Sequence, residues 1–367
     1  MRVGLVVYGS LDVLSGGNLY DRMLVESLRE SGHEVEVFSI PLRSYPLNLA
    51  QSFLPGLRRR LSSSTVDVLL EDELAHPSLI RVDGRLRVPR VSIVHHLRSS
   101  EERAEWQNDL YRSVEQRYLL SVDAFVFNSE TTRETVEALL RRKTRSVVAT
   151  PGGDRLPRSL TAADVAARAA EGGELRILFV GNLIPRKGLR HLLKALHSLA
   201  GRPFQLDVVG REDADRRCAA AMKAEVRTLG LENRVRFHGA LTGERLEERF
   251  RSAHVLAVPS SYEGFGIVYL EAMGFGLPVI ASASGATDEI VRHESTGFLV
   301  PPGDAWSLAR RIHSLIEDRR LLSEMSLAAF DAFGDHPGWK ASMRKVERFL
   351  VEVIEGGKTR RASPAET

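Results

Sequence analysis

Residues 177–196 read ILFVGNLIPRKGLRHLLKAL. A short apolar run ends at Val180, the chain turns at Gly181, and an amphipathic helix follows Arg186 and Lys187, which is the pattern of a buried strand feeding a helix. The same alternation extends in both directions. Apolar runs at 3–7, 34–38, 66–70, 91–94, 124–127 and 146–149 are separated by helical patterns such as 18–31 and 101–120. The scheme restarts at 176–180, 205–209, 235–238, 255–258 and 278–281. Strands alternating with helices argue for an α/β chain with parallel sheets, here two in succession. Between them, 151–174 holds Pro-Gly-Gly, an Ala-rich stretch and Glu-Gly-Gly, a composition that predicts a hinge and a short, poorly anchored helix. The expected division is a first domain over 1–155, a linker over 156–174 and a second domain over 175–337. A helix over 338–355 is expected to pack back towards the first domain, and 356–367 has too little apolar content to be ordered.

At 367 residues, with 43% hydrophobic and 27% charged side chains, the composition excludes a disordered chain and a membrane-spanning bundle. Fifty-one basic residues stand against 48 acidic ones, a net charge of +3, so no nucleic-acid partner is expected. Only seven of the basic residues are Lys. A Lys at a constrained position therefore asks for an explanation, and Lys187 sits at the carboxyl end of a predicted strand, where a compact ammonium suits a phosphate; a solvated helix-end cation is the competing reading. The single Cys218 leaves no internal disulfide, and MRVGLVVYG at the start reads as a buried strand, so a cytoplasmic location is expected.

Two further stretches carry chemistry. Gly16 and Gly17 follow the first strand and precede a helix predicted from about Asn18, so their amides could receive an anion, or the glycines could simply serve a tight turn. Residues 259–282, PSSYEGFGIVYLEAMGFGLPVIAS, place Glu263 before a helix predicted over 267–273 and Glu271 in its second turn. The amides of Gly264, Phe265, Gly266 and Ile267 favour negative charge or sugar hydroxyls, while a carboxylate can accept two hydrogen bonds from a vicinal diol. A sugar nucleotide offers phosphate, hydroxyls and diol together.

The Glu-x7-Glu spacing of Glu263 and Glu271, the EGFG loop, the Lys187-Gly188 pair and the early Gly16-Gly17 together resemble the family-4 retaining glycosyltransferases. That resemblance runs over nearly the whole chain and is strongest over 175–302. It implies the GT-B fold, two Rossmann-like domains with parallel sheets facing across a cleft. It also implies a nucleoside diphosphate sugar donor, with Glu271 on the ribose, Glu263 as a catalytic residue near the transferred sugar, and Gly264, Phe265 and Gly266 along that sugar. Gly16, Gly17, Arg186, Lys187 and Ile267 would contact the diphosphate, and the backbone of Ala240 and Leu241 the base. The family commonly carries Arg directly after the glycine of the seventh strand; Asn182 stands there in this chain, with Arg186 four residues on as a substitute charge. GREDAD at 210–215 is similar to a stretch in mannosyltransferases that use GDP-mannose.

His95 and His96 end a strand where the family often carries a His facing the sugar, and His95 is the better match and a second catalytic candidate; a neutral or a charged imidazole could serve there, and a pair of strand-end histidines satisfied by backbone is the competing reading. His96 should point to the opposite face. Asp213 and Asp215 have Asp-x-Asp spacing, but N-terminal helix capping explains them more simply, and Lys187 with Arg186 can neutralise the diphosphate, so no metal or other cofactor is expected. Glu71 and Glu73 in LLEDEL read as a loop after a strand. The reaction implied is transfer to a hydroxyl acceptor by a front-face mechanism, with a GT-B epimerase and a non-catalytic sugar-nucleotide binder as alternatives. Residues 44–61, SYPLNLAQSFLPGLRRRL, form the one segment that could meet a membrane surface or a lipid-linked acceptor, or else an ordinary covering helix with a solvated Arg face.

Overall fold

Continuous apolar runs can only be satisfied by burial on both faces, and in the computed structural model they form two parallel sheets covered by helices. The structure describes residues 1–81, 86, 88–157 and 160–362, with the side chains of 358–362 left aside. The chain divides into two units, one of Met1–Pro151 with Trp339–Thr367 and one of Gly152–Gly338.

In the first unit the strands are β1 (Arg2–Tyr8), β2 (Glu34–Ile40), β3 (Val68–Asp72), β4 (Arg90–Val94), β5 (Ala124–Phe127) and β6 (Ser146–Val148). Their order is β2-β1-β3-β4-β5-β6. The strand order reverses between β1 and β3; β3 ends at Asp72, and the segments that leave the carboxyl ends of the two strands lead to Gly16 and to Glu73. Glu71 is a correction to the sequence reading: it lies inside β3 in register with Ser92, not in a following loop. Its carboxylate is buried against the Arg90 guanidinium at 2.7 and 2.9 Å, and this pairing lets a charged residue occupy a central strand.

The second unit contains β7 (Leu175–Val180), β8 (Phe204–Val209), β9 (Val235–Gly239), β10 (Val255–Val258), β11 (Val279–Ser282) and β12 (Gly297–Val300), ordered β12-β11-β10-β7-β8-β9. Here the order reverses between β7 and β10. Ligands of open parallel sheets bind outside the carboxyl ends of the strands at such a point, and the loops that leave β7 and β10 carry Lys187 and Glu263.

Two further expectations are corrected. The Ala-rich segment is a firmly held helix, Ala162–Ala170, with a capping box between Thr161 and Asp164 and with Val165 and Ala169 buried. Arg168 reinforces it by donating to the carbonyls of Phe275 and Gly276 at 2.7 and 2.9 Å. The C-terminal helix runs Trp339–Ala362, well beyond 355, and the remainder of the tail lies outside the described residues. This helix belongs to the first unit, where Trp339 packs edge-on against Tyr20 and Glu347 pairs with His33 at 2.8 Å.

Candidate active site

In the second unit the loop after β7 passes through a short 3-10 turn, Pro185–Lys187, into the helix Leu189–Ser198. Gly188, with φ +72°, joins them, and a Cβ there would lie 2.0 Å from the Pro259 carbonyl oxygen. Only glycine allows the loops after β7 and β10 to approach this closely. Ser261 N–H donates to the Arg186 carbonyl at 2.8 Å and fixes the approach.

This seam places Lys187 Nζ 2.5 Å from Glu263 Oε1, which also accepts from Ser260 Oγ at 2.6 Å. Arg186 Nη1 lies 3.7 Å from Glu263 Oε2 and donates to the Tyr262 carbonyl at 2.6 Å. Burial alone would raise the Glu263 carboxyl, but Lys187 and then Arg186 outweigh it and hold the group at about 2. Burial pushes the Lys187 ammonium down, with Glu263 opposing. Glu263 is therefore a carboxylate at neutral pH. From the far side, Gly285, with φ +64°, comes so near that a Cβ would meet the Glu263 carbonyl at 1.9 Å, and Ala286 N–H donates to that carbonyl at 2.9 Å. Glu263 is clamped through backbone and side chain alike.

The helix Ile267–Gly274 starts after Gly266, whose φ is +99°. Glu271 is buried on this helix and its Oε1 accepts from Arg155 Nε at 2.8 Å, with Nη2 at 2.7 Å. Burial raises the Glu271 carboxyl and Arg155 opposes the rise. Phe265 turns its ring inward against His336 at 5.9 Å between centroids, so any contact it makes with a sugar runs through its backbone. Ala240 is exposed and Leu241 half-buried just past β9. Asp213 forms a two-point pair with Arg211 at 3.0 and 2.9 Å, and Asp215 caps the helix Arg216–Thr228 by accepting from Cys218 N–H at 3.0 Å.

The first unit holds a second constellation. The helix Gly16–Glu30 begins at Gly16, two residues before the expected start, and Ser15 caps it by accepting from Asn18 N–H at 3.1 Å. Gly17 packs closely on His95: a Cβ there would lie 3.0 Å from the His95 ring, which would have to give by a few tenths of an ångström. His95 is buried, with Nε2 3.1 Å from Asp21 Oδ1, and Asn128 Nδ2 donates to its carbonyl at 2.9 Å. Burial would lower the imidazole, but Asp21, Asp72 and Glu73 more than offset it and push it up to about 9. Asp72, buried beside Asp21, is pushed up to about 7 by burial and by Asp21, with His95 opposing. His96 has a different partner, Glu101 Oε1 at 2.9 Å.

His95 is thus an imidazolium at neutral pH, where the sequence left either state open. Its folded pKa lies above the unfolded value of about 6.5, so its contribution to stability is complete below about pH 6.5 and is lost as pH rises through about 9. The His95 ring signals in an NMR titration should stay protonated past pH 8. Asp21→Asn should bring the midpoint down by about two pH units; an unchanged midpoint would remove Asp21 as the group that sets the charge.

Two family models match the chain, "Glycosyltransferase Family 4" over residues 14–155 and "Glycosyl transferases group 1" over residues 162–331. The 2-deoxystreptamine glucosyltransferase of Streptomyces kanamyceticus is 30% identical over 318 residues, 80% of each chain. The chain belongs to glycosyltransferase family 4. It spans between 36 and 57% of the length of three further curated relatives. Among solved structures, sucrose-phosphate synthase from Thermosynechococcus elongatus superposes with a TM-score of 0.81 at 23% identity, covering 97% of this chain and 99% of that one. Anabaena HepE in complex with UDP-glucose gives 0.74 at 20% identity, covering 96% and 100%. These likenesses show the GT-B fold.

For a family-4 chain, the sequence pointed to Lys187, Arg186 and Glu263, and the structure brings them together. It missed Ser260, Arg155 and Asp21. Ser260 was within reach of a sequence argument, being a hydroxyl three residues before the key carboxylate. Arg155 and Asp21 lie 116 and 74 residues from the groups they hold, and no local pattern announces them.

Proposed function

We propose that this chain is a retaining glycosyltransferase that moves a sugar from a nucleoside diphosphate sugar to a hydroxyl acceptor. The observation that carries the reading is the Glu263–Lys187 ion pair, flanked by Arg186, where the strand order of the second sheet reverses. Lys187 and Arg186 supply positive charge to a departing diphosphate, assisted by the amides of 264–267 at the start of the helix Ile267–Gly274. Glu263 orients and electrostatically supports the transferred sugar. Glu271, steadied by Arg155, accepts from the ribose hydroxyls, and the backbone at Ala240 and Leu241 meets the base. The same reading gives Gly16 and Gly17 a diphosphate contact and His95 a role towards the sugar. The leaving-group oxygen takes the acceptor proton in a front-face displacement, so no separate strong base is required, and the two cations serve the diphosphate without a metal.

A thermal-shift panel of UDP-, GDP- and ADP-sugars tests donor binding. Ligand at a hundred times its Kd stabilises by about 2.7 kcal/mol, which is roughly 5–10 °C for a unit of this size. The preferred base should stand out by that margin, and a flat panel would overturn the reading. Isotope-labelled donor with an acceptor extract then separates transfer from epimerisation and from binding alone.

The acceptor side includes a membrane contact in this proposal. Among the described residues no helix is long and apolar enough to cross a membrane. The helix Tyr45–Gln51 and the short turn that joins it to the helix Pro55–Ser62 nevertheless leave Leu47, Phe53 and Leu54 exposed at 55, 63 and 61%. Arg81 stacks over Phe53 at 4.2 Å, and Arg58, Arg81 and Arg117 line one hollow with Phe53 and Leu54. Apolar anchors beside clustered cations suit an anionic lipid surface. The chain should co-sediment with vesicles containing anionic lipid and not with zwitterionic ones, and Phe53→Ser with Leu54→Ser should weaken that at least about tenfold; equal sedimentation with both vesicle types would refute the contact.

A further inference from the structure

The transfer reading leaves unused a buried group of side chains in the first unit. Glu73 lies in the 3-10 turn Glu73–Ala75 directly after β3, His76 opens the helical turn His76–Leu79, and Glu115 comes from the helix Glu105–Leu119. All three are at most 1% exposed, and each offers a ligand atom within 4.8 Å of the others.

Charge and hydrogen bonding in this group do not close. Two carboxylates face one imidazole. His76 Nε2 is 3.0 Å from the Tyr45 hydroxyl, while Nδ1 is 2.9 Å from both the carbonyl oxygen and Oε1 of Glu73. One ring nitrogen therefore faces two acceptors, and a single hydrogen on it can serve only one. Glu73 Oε2 has no hydrogen-bond partner, and Oε1 has only the His76 Nδ1 that the Glu73 carbonyl also faces, although a buried carboxylate so short of donors is costly. The outer contacts are complete by contrast: Glu115 accepts from Ser99 Oγ at 2.5 Å and from Ser99 N–H at 3.2 Å. Ligands held from behind, with unmatched lone pairs converging in front, are the arrangement of a metal site.

We propose that Glu73, His76 and Glu115 bind one divalent transition-metal ion, through a carboxylate oxygen of each Glu and Nδ1 of His76. The imidazole with two carboxylates suits Mn²⁺, Co²⁺ or Zn²⁺. His76 Nε2–H then donates to the Tyr45 oxygen, which fixes the tautomer. The ion ties the turn after β3 to the helix Glu105–Leu119 and orders the first unit; it has no step in sugar transfer, and the inference stands or falls independently of that reaction.

The test uses the full chain purified without immobilised metal, stripped with chelator and then titrated with Co²⁺, Mn²⁺ or Zn²⁺. We expect about one equivalent per chain by elemental analysis, visible Co²⁺ absorption bleached by Zn²⁺, and a melting temperature that rises with metal. Glu73→Gln and Glu115→Gln should each lower affinity by about tenfold or more, while Asp21→Asn, in the neighbouring acidic group, should bind normally. Circular dichroism of the stripped variants establishes that they fold; if neither does, the wild-type stoichiometry and Co²⁺ spectrum decide. Absence of binding by all three ions would overturn the proposal and leave a shared proton in the cluster. So would binding that survives Glu73→Gln and is lost in Asp21→Asn.

Discussion

Glu263→Gln is expected to lower sugar transfer by about 10²- to 10⁴-fold, or roughly 3–5 kcal/mol of transition-state stabilisation, while donor affinity changes by less than about threefold. The asymmetry follows from the contacts. The amide keeps the size of the carboxylate and can still accept from Lys187 and Ser260, which lie 2.5 and 2.6 Å from Oε1, so the seam between the loops after β7 and β10 survives. The negative charge that would support a developing oxocarbenium is lost. Lys187 meanwhile sheds its counter-charge and meets the diphosphate at least as well as before, so the loss falls on kcat rather than on KM. Glu263→Ala should be worse, because it leaves the Lys187 ammonium buried without a partner. The measurement is initial-rate transfer and hydrolysis of labelled donor, with the donor-induced thermal shift as the check on binding and folding. Turnover within about threefold of wild type in Glu263→Gln would end the assignment of this carboxylate to the reaction.

What could be read in advance follows a physical division. Ala124–Phe127 and Val255–Val258 were legible to the residue because a strand buried on both faces is an uninterrupted apolar run bounded by polar neighbours. β12 escaped notice because it is four residues long and begins at Gly297, where a Cβ would lie 2.0 Å from the Val279 carbonyl oxygen; a glycine needed for close strand approach looks, in sequence, like a turn. Glu71 was misplaced for a related reason. A charge in an apolar run signals the end of a strand unless its partner is known, and Arg90 lies 19 residues away. The anchored helix Ala162–Ala170 did carry a signal, the Thr161–Asp164 capping box, which outweighs the weak apolar stripe around it. At the candidate site, Glu263 and Glu271 stood out because a spacing of eight across a loop and a helix start is a local property. The electrostatics of each are not local: at Glu263, Lys187 and Arg186 outweigh burial, whereas at Glu271 burial raises the carboxyl against Arg155, and folding alone brings about that burial and those partners.

Arg90→Met should destabilise the first unit by about 3–5 kcal/mol, the cost of leaving a buried carboxylate without its cation. Glu71 is fully buried, and Arg90 Nε and Nη2 satisfy its two oxygens at 2.7 and 2.9 Å. The Tyr118 hydroxyl adds a third donor at 3.0 Å, and the remaining guanidinium nitrogen, Nη1, donates to the Ser121 carbonyl at 3.0 Å. Methionine fills much of the same volume and returns none of the guanidinium's bonds, leaving Glu71 only the Tyr118 hydroxyl. For a unit of this size the loss corresponds to a melting temperature lower by roughly 10 °C, visible as an earlier first transition in calorimetry. The double variant Glu71→Leu with Arg90→Met removes both charges together and should recover most of the loss, because an ion pair exchanged as a whole for apolar side chains sheds its desolvation cost along with its attraction. If the single variant melts within about a degree of wild type, the pair contributes little and the burial of Glu71 in β3 needs another explanation. If the double variant is no better than the single one, the network through Tyr118 and Ser121, rather than the ion pair, is what holds the centre of this sheet.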